Sequence, residues 1–92
     1  MRVYVEDTGD VSRMSKGRAA CAPAFAFHLG MASARMSTAA PLHPVKSLVE
    51  GAVREVGRWF EMGVLVRLEV IAEFKRGYAL AWWNRRRRFA GR

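Results

Sequence analysis

Apolar and polar positions alternate most regularly in the C-terminal half of the chain. From Ser47 onward, apolar residues recur at spacings of three and four, and charged residues such as Glu50, Arg54 and Arg58 occupy the positions between them. This spacing predicts an amphipathic α-helix with one face turned toward an apolar environment. We expect that face to dock on a partner, and its members are Leu48, Val49, Ala52, Val53, Val56, Trp59, Phe60 and Val64.

Two signals indicate where this helix begins. Pro44 fixes a backbone angle that suits the first turn of a helix, and it disfavours helix in the residue before it. Ser47 and Glu50 have the spacing of a capping box, in which each side chain accepts a hydrogen bond from an exposed backbone N–H of the other residue. The helix is therefore expected to start between these positions.

The same apolar stripe can be continued through Val70, Phe74, Tyr78 and Trp82, so the sequence predicts one long amphipathic helix. Arg67 falls inside the stripe, where an unpaired guanidinium would be costly to bury. A break near Gly63–Arg67 is one alternative. A half-buried strand over residues 64–70 is another, because Val66, Leu68 and Val70 alternate there with Arg67 and Glu69.

The N-terminal half shows much less contrast between apolar and polar positions. Alternation over the first residues, followed by Asp7-Thr8-Gly9-Asp10, predicts a short strand that ends in a turn. Val11 to Val49 contains no acidic residue and is rich in Ala, Ser and Met, a composition typical of organellar transit peptides. We therefore expect a disordered or weakly structured N-terminal segment. The composition of this segment predicts that the protein is mitochondrial if it comes from a eukaryote and cytoplasmic otherwise.

Charge adds an expectation about partners. The 92-residue chain carries 16 Lys and Arg against 8 Asp and Glu, a formal net charge of +8. A dense positive field attracts nucleic acid, an anionic membrane surface or an acidic protein face. The division predicted is a flexible segment over residues 1–43, an amphipathic helical segment over residues 44–84 and a basic tail over residues 85–92.

The tail places aromatic residues beside a run of four arginines. Arginines can neutralise phosphates while aromatic rings stack on unpaired bases, as in proteins that bind single-stranded nucleic acid. The same residues could anchor in an anionic membrane interface, or simply form a solvated basic end. The predicted contact residues for nucleic acid or another anion are Trp82, Trp83, Arg85, Arg86, Arg87 and Arg88.

Candidate catalytic and metal-binding residues are few. Cys21 is the single cysteine, and neither of its flanks resembles the signature of a cysteine hydrolase. His28 and His43 lack nearby acidic or cysteine ligands, so no metal site is predicted. Glu69 and Glu73 are one turn apart on a solvated helix face, without a histidine, so no catalytic site and no cofactor is predicted. Charges between Met62 and Trp83 argue against a transmembrane span.

These observations predict a mainly α-helical protein in which a weakly structured N-terminal half precedes the long helix. We expect a non-enzymatic interaction or accessory subunit that docks its apolar helix face on a larger assembly or on a second copy. The alternatives are a protein that binds RNA or DNA through its tail and a helix that lies on a membrane surface. A further alternative is that the reading frame is only weakly selected and has no evolved function. The regular helical spacing from Ser47 to Val64 argues against it.

Overall fold

The computed structural model describes residues 16–36 and 39–90 and contains three α-helices. A 3-10 turn, Ala19–Cys21, leads into α1, Ala22–Arg35; α2 spans Lys46–Trp59 and α3 spans Val64–Ala90. The mainly α-helical fold predicted from the sequence is confirmed. The single long helix is replaced by α2 and α3, and the strand predicted for the first residues lies outside the described part of the chain.

A helix in the N-terminal half is the largest departure from the prediction of a weakly structured segment. Pro23 occupies the first turn of α1, where its missing N–H would have no partner in any case. Four small residues spaced four apart then form one face of the helix, and all are buried: Ala22, Ala26, Gly30 and Ala34. Such a face has little hydrophobic contrast, yet it permits close contact with a second helix.

That second helix is α3, and glycines mediate the contact from both sides. A Cβ atom at Gly30 would fall on the carbonyl oxygen of Phe74, and one at Gly77 would fall on the carbonyl oxygen of Phe27. Both glycines are buried and both lie within helices. The two backbones are therefore in direct contact, so any side chain at either position would separate the helices.

α2 begins earlier than the capping box predicts. Val45 is the N-cap residue in an extended conformation, and its carbonyl oxygen accepts hydrogen bonds from the backbone N–H groups of Leu48 and Val49. Ser47 lies inside the first turn, and no side chain caps the helix. The capping-box prediction is wrong because the helix begins at Lys46, so Ser47 already lies past the N-cap position where its side chain could act as a cap.

The chain leaves the helical conformation between α2 and α3, at Phe60–Gly63. Phe60 is extended, and Gly17 pairs with this segment: its N–H donates to the Trp59 carbonyl at 2.7 Å, and its carbonyl accepts from the Glu61 N–H at 3.2 Å. The Phe60 ring packs against the Phe25 ring of α1, with centroids 5.2 Å apart. The break thus precedes Arg67, which is exposed, and the strand alternative for residues 64–70 is wrong because they begin α3.

The core lies where all three helices meet. Val56 of α2 and Val70 and Phe74 of α3 are fully buried beside the small residues of α1. Tyr78 and Ala81 continue the buried side of α3 toward Ala34. Each buried valine or larger side chain contributes about 1.5 to 3 kcal/mol relative to an exposed one, so these residues supply much of the stability of a small domain.

Side chains of α3 also hold the connection between α1 and α2. The Tyr78 hydroxyl donates to the Pro41 carbonyl at 2.6 Å, and the Trp82 indole N–H donates to the Ala40 carbonyl at 2.8 Å. Arg85 donates to the Ala34 carbonyl at 3.0 Å, which satisfies one of the unpaired carbonyls at the end of α1. The C-terminal third of α3 is therefore tied to the rest of the fold.

Candidate functional site

The predicted docking face of α2 is divided between the core and the surface. Ala52, Val53 and Val56 are buried against α1 and α3, while Val49 and Phe60 are half-buried at the edge of that core. Side chains buried within the chain cannot contact a partner while the fold is intact. The members of the predicted face that remain exposed are Leu48, Trp59 and Val64.

A larger exposed apolar surface runs along α3 on the side opposite the core. We call it the outer stripe; its members follow spacings of three, four and seven, and they are Leu65, Leu68, Ala72, Ala79 and Trp83. Leu65 is 76% exposed, Leu68 58% and Trp83 53%. Over eighteen residues a helix rises about 27 Å, so the outer stripe is an extended surface and not an isolated side chain.

Arg76 lies between the two halves of the outer stripe, but its charge is engaged toward α1. The guanidinium forms an ion pair with Glu73 at 3.1 Å and lies over the Phe27 ring, 5.6 Å from its centroid. The carboxylate and the aromatic ring hold the guanidinium in place. Arg76 therefore interrupts the apolar surface less than an unpaired arginine would.

The residues predicted for the basic tail have two different roles. Trp82 and Arg85 are partly buried and hydrogen-bonded to backbone carbonyls of the preceding segments. Trp83, Arg86 and Arg87 are exposed, and the Arg86 guanidinium lies 4.7 Å from the centroid of the Trp82 ring. Residues 85–90 of the predicted tail belong to α3, which ends at Ala90. Trp82 is consequently not free to stack on a base without releasing the Ala40 carbonyl.

Ionisable groups in the described part of the chain do not assemble into a candidate metal centre. No group of three or more His, Cys, Asp or Glu residues is placed there to hold a metal ion. Cys21, His28 and His43 are all exposed and lie on the 3-10 turn, on α1 and in the connection to α2, respectively. None of the helices in that part has an apolar stretch long enough to cross a bilayer.

The outer stripe was missed because α3 is apolar on two sides. Its inner side contains Val70, Phe74, Gly77, Tyr78 and Ala81, and the outer stripe runs along the other side. When hydrophobicity is summed by direction around a helix, two opposed apolar faces cancel. The spacing of the inner side was therefore recognised, and that of the outer stripe was not. The missing signal was the second series of three- and four-residue spacings that starts at Leu65.

Comparisons of the chain with protein-family models, with curated proteins and with solved structures give no match. Function is therefore inferred from the surface chemistry of the chain.

Proposed function

We propose that this chain is a non-enzymatic interaction protein that docks the outer stripe of α3 on a second copy of itself. The observation that supports the proposal is the exposure of Leu65, Leu68 and Trp83 along one side of a helix whose other side is fixed in the core. Apolar surface of this length is favourably removed from water by a matching surface.

A second copy is the occupant that the residue order favours. In an antiparallel pair centred near Phe74, Leu65 of one copy lies level with Trp83 of the other, because each is nine residues from the centre. Leu68 then falls beside Ala79, which pairs a large side chain with a small one. Alternating large and small residues allow two helix surfaces to interdigitate.

Charge is compatible with the same arrangement. Glu69 and Arg76 lie on the same side of the outer stripe at 100° per residue, and both are exposed. In the antiparallel pair, Glu69 of one copy comes within one turn of Arg76 of the other, which also pairs with Glu73 of its own helix. Opposite charges at the rim of an interface favour one register over others, although each pair contributes little to affinity.

The test is the oligomeric state of the full chain, measured by sedimentation velocity over a hundredfold range of concentration. We expect reversible dimers, since a single helix face is at the small end of protein interfaces. The double variant Leu65→Glu/Leu68→Glu should remain monomeric. Both substitutions are at exposed positions, so the helical circular dichroism spectrum should be preserved.

Met36→Glu/Val45→Glu is the matched control, because it introduces the same charges at exposed apolar positions outside the outer stripe. This control should dimerise like the unmodified chain. A chain that stays monomeric throughout, or a Leu65/Leu68 variant that dimerises normally, would overturn the proposal. Binding of the monomer to anionic vesicles, lost in the Leu65/Leu68 variant, would assign the outer stripe to a membrane surface instead.

A further inference from the structure

An open groove between α2 and α3, distinct from the outer stripe, has a strongly basic rim. Its volume is 1020 Å³, and none of its lining residues belongs to the outer stripe. Six basic side chains line it against a single acidic one, Glu50. All six are exposed, and they come from the segment before α1, from α2 and from α3: Lys16, Lys46, Arg54, Arg58, Arg67 and Lys75.

Much of this positive charge is not neutralised within the fold. Lys46 is 4.0 Å from Glu50, and Arg58 is 3.4 Å from Glu55, both as exposed pairs on α2. Among the described residues, Arg54, Arg67 and Lys75 have no acidic partner within ion-pair distance. Like charges that converge without counter-charges repel one another, so an anionic ligand would be favoured there.

Lys16 shows that the rim is built by tertiary structure. Its ammonium group donates to the Gly57 carbonyl at 2.8 Å, across 41 residues of sequence. The pairing of Gly17 with the segment after α2 holds the preceding residue close to this carbonyl. The end of the groove nearest Gly57 therefore has a cation fixed in position.

The floor of the groove is aliphatic. Its apolar lining consists of Val49 and Val53 of α2, Ile71 of α3, and Pro44 and Met62. None of the lining residues is aromatic. Proteins that bind single-stranded nucleic acid stack bases on aromatic rings, so this floor suits apolar side chains better than bases.

The distribution of the cations favours a ligand with several charges. Lys46 and Arg58 are twelve residues apart on α2, which corresponds to about 18 Å of helix. A lipid or fatty acid has its charge at one end and would require a cluster of cations at a single point. A peptide segment with repeated carboxylates can follow the whole rim while its apolar side chains fill the floor.

We propose that this groove binds an acidic peptide segment of a partner protein in which Glu or Asp residues alternate with aliphatic ones. The carboxylates contact Arg54, Arg67 and Lys75, and the aliphatic side chains pack on Val49 and Ile71, which are half-buried. The site adds a second, chemically different partner to the self-association proposed for the outer stripe.

The test is fluorescence anisotropy with a labelled synthetic peptide in which Glu and Leu alternate. The protein is the full chain at fixed ionic strength. Charge reversal in Arg54→Glu/Arg67→Glu should weaken binding by at least about tenfold. Arg86→Glu/Arg87→Glu changes the net charge equally but outside the groove, and it should weaken binding by less than about threefold.

Two further probes test whether the aliphatic floor contributes to binding in addition to the basic rim. Polyglutamate of equal charge should bind more weakly than the Glu/Leu peptide, because it leaves the aliphatic floor empty. Oligouridylate of equal charge should also bind more weakly, because no aromatic side chain is present to stack its bases. Equal binding of polyglutamate, or tighter binding of oligouridylate, would overturn the proposal.

Two checks keep the outcome decisive. If the charge-reversal variant loses its helical circular dichroism spectrum, the binding experiment is repeated with Arg54→Gln/Arg67→Gln. Unchanged peptide binding by this folded variant would overturn the proposal. The monomeric variant Leu65→Glu/Leu68→Glu should bind the peptide normally. Loss of peptide binding in that variant would mean that the site is at the outer stripe and not in the groove.

Discussion

Gly30 of α1 and Gly77 of α3 form a reciprocal contact in which each glycine lies against the backbone of the opposite helix. The carbonyl oxygen that excludes a Cβ at Gly30 belongs to Phe74, and the one that excludes a Cβ at Gly77 belongs to Phe27. Phe27 and Phe74 are each three residues before their own helix's glycine. The two contacts therefore occur one helical turn apart and fix the alignment of α1 along α3.

Replacement of either glycine by alanine should destabilise the protein, although alanine favours helix by about 0.5 to 1 kcal/mol. The added Cβ meets a backbone carbonyl, which cannot move aside as a flexible side chain can. We expect the free energy of unfolding to fall by about 1 to 3 kcal/mol for each variant, measured by urea denaturation followed by circular dichroism.

Gly51→Ala is the matched control for this prediction. Gly51 also lies within a helix, but the nearest atom to its added Cβ is a terminal nitrogen of Arg54 at 4.0 Å. This variant should be more stable than the unmodified chain by about 0.5 to 1 kcal/mol. If Gly30→Ala and Gly77→Ala were stabilised to the same extent, the close contact between α1 and α3 would be contradicted.

The glycine contact also explains which part of the fold could be predicted from the sequence. α2 has large apolar residues on one side and charges on the other, so its periodicity is visible. The buried side of α1 consists of alanine and glycine, whose small side chains give little apolar contrast. These small residues contribute by allowing the backbone of a second helix to approach closely. That contribution cannot be seen in the α1 sequence, because the second helix is distant in the chain.

The candidate surfaces were only partly predictable for a related reason. The apolar spacing of α2 was found correctly, but three of its members are used within the core: Ala52, Val53 and Val56. Periodicity shows that a face is apolar without showing whether the chain itself covers it. The basic groove could not be found at all, since Lys16, Arg54 and Arg67 become neighbours only when three segments pack together.

Trp82 and Trp83 provide a test of how the C-terminal part of α3 is anchored. The rings are in edge-to-face contact with centroids 5.1 Å apart, yet of the two, within the described part of the chain, only the Trp82 indole N–H has a hydrogen-bond acceptor, the Ala40 carbonyl. Trp82→Phe removes this donor and should lower the free energy of unfolding by about 1 kcal/mol. Trp83→Phe should change it by less than about 0.5 kcal/mol.

The measurement is urea denaturation at low protein concentration, where self-association through Trp83 does not contribute. Equal stability losses in the two variants would mean that the contact between the rings, and not the indole hydrogen bond to Ala40, anchors this part of α3. A loss confined to Trp83→Phe would contradict the anchoring role of Trp82.

Tyr78 should make stability depend on pH in the alkaline range. Burial raises the pKa of its phenol above the ordinary value of 10.0, and the neutral hydroxyl donates to the Pro41 carbonyl at 2.6 Å. Above about pH 10 the unfolded chain loses this proton while the folded chain retains it. The unfolded state is thereby favoured, so the free energy of unfolding should fall as pH rises from 10.0 toward the folded pKa.

Tyr78→Phe isolates this contribution from the lysines that titrate in the same range. The variant should be less stable than the unmodified chain near neutral pH, because it loses the hydrogen bond to Pro41, at a cost of about 1 kcal/mol. The difference between the two proteins should then shrink above about pH 10, since phenylalanine has no proton to lose. Urea denaturation at several pH values measures this difference directly. A difference that stays constant through the alkaline range would show that the Tyr78 phenol titrates equally in the folded and unfolded chains, and that its burial against Pro41 does not hold the proton.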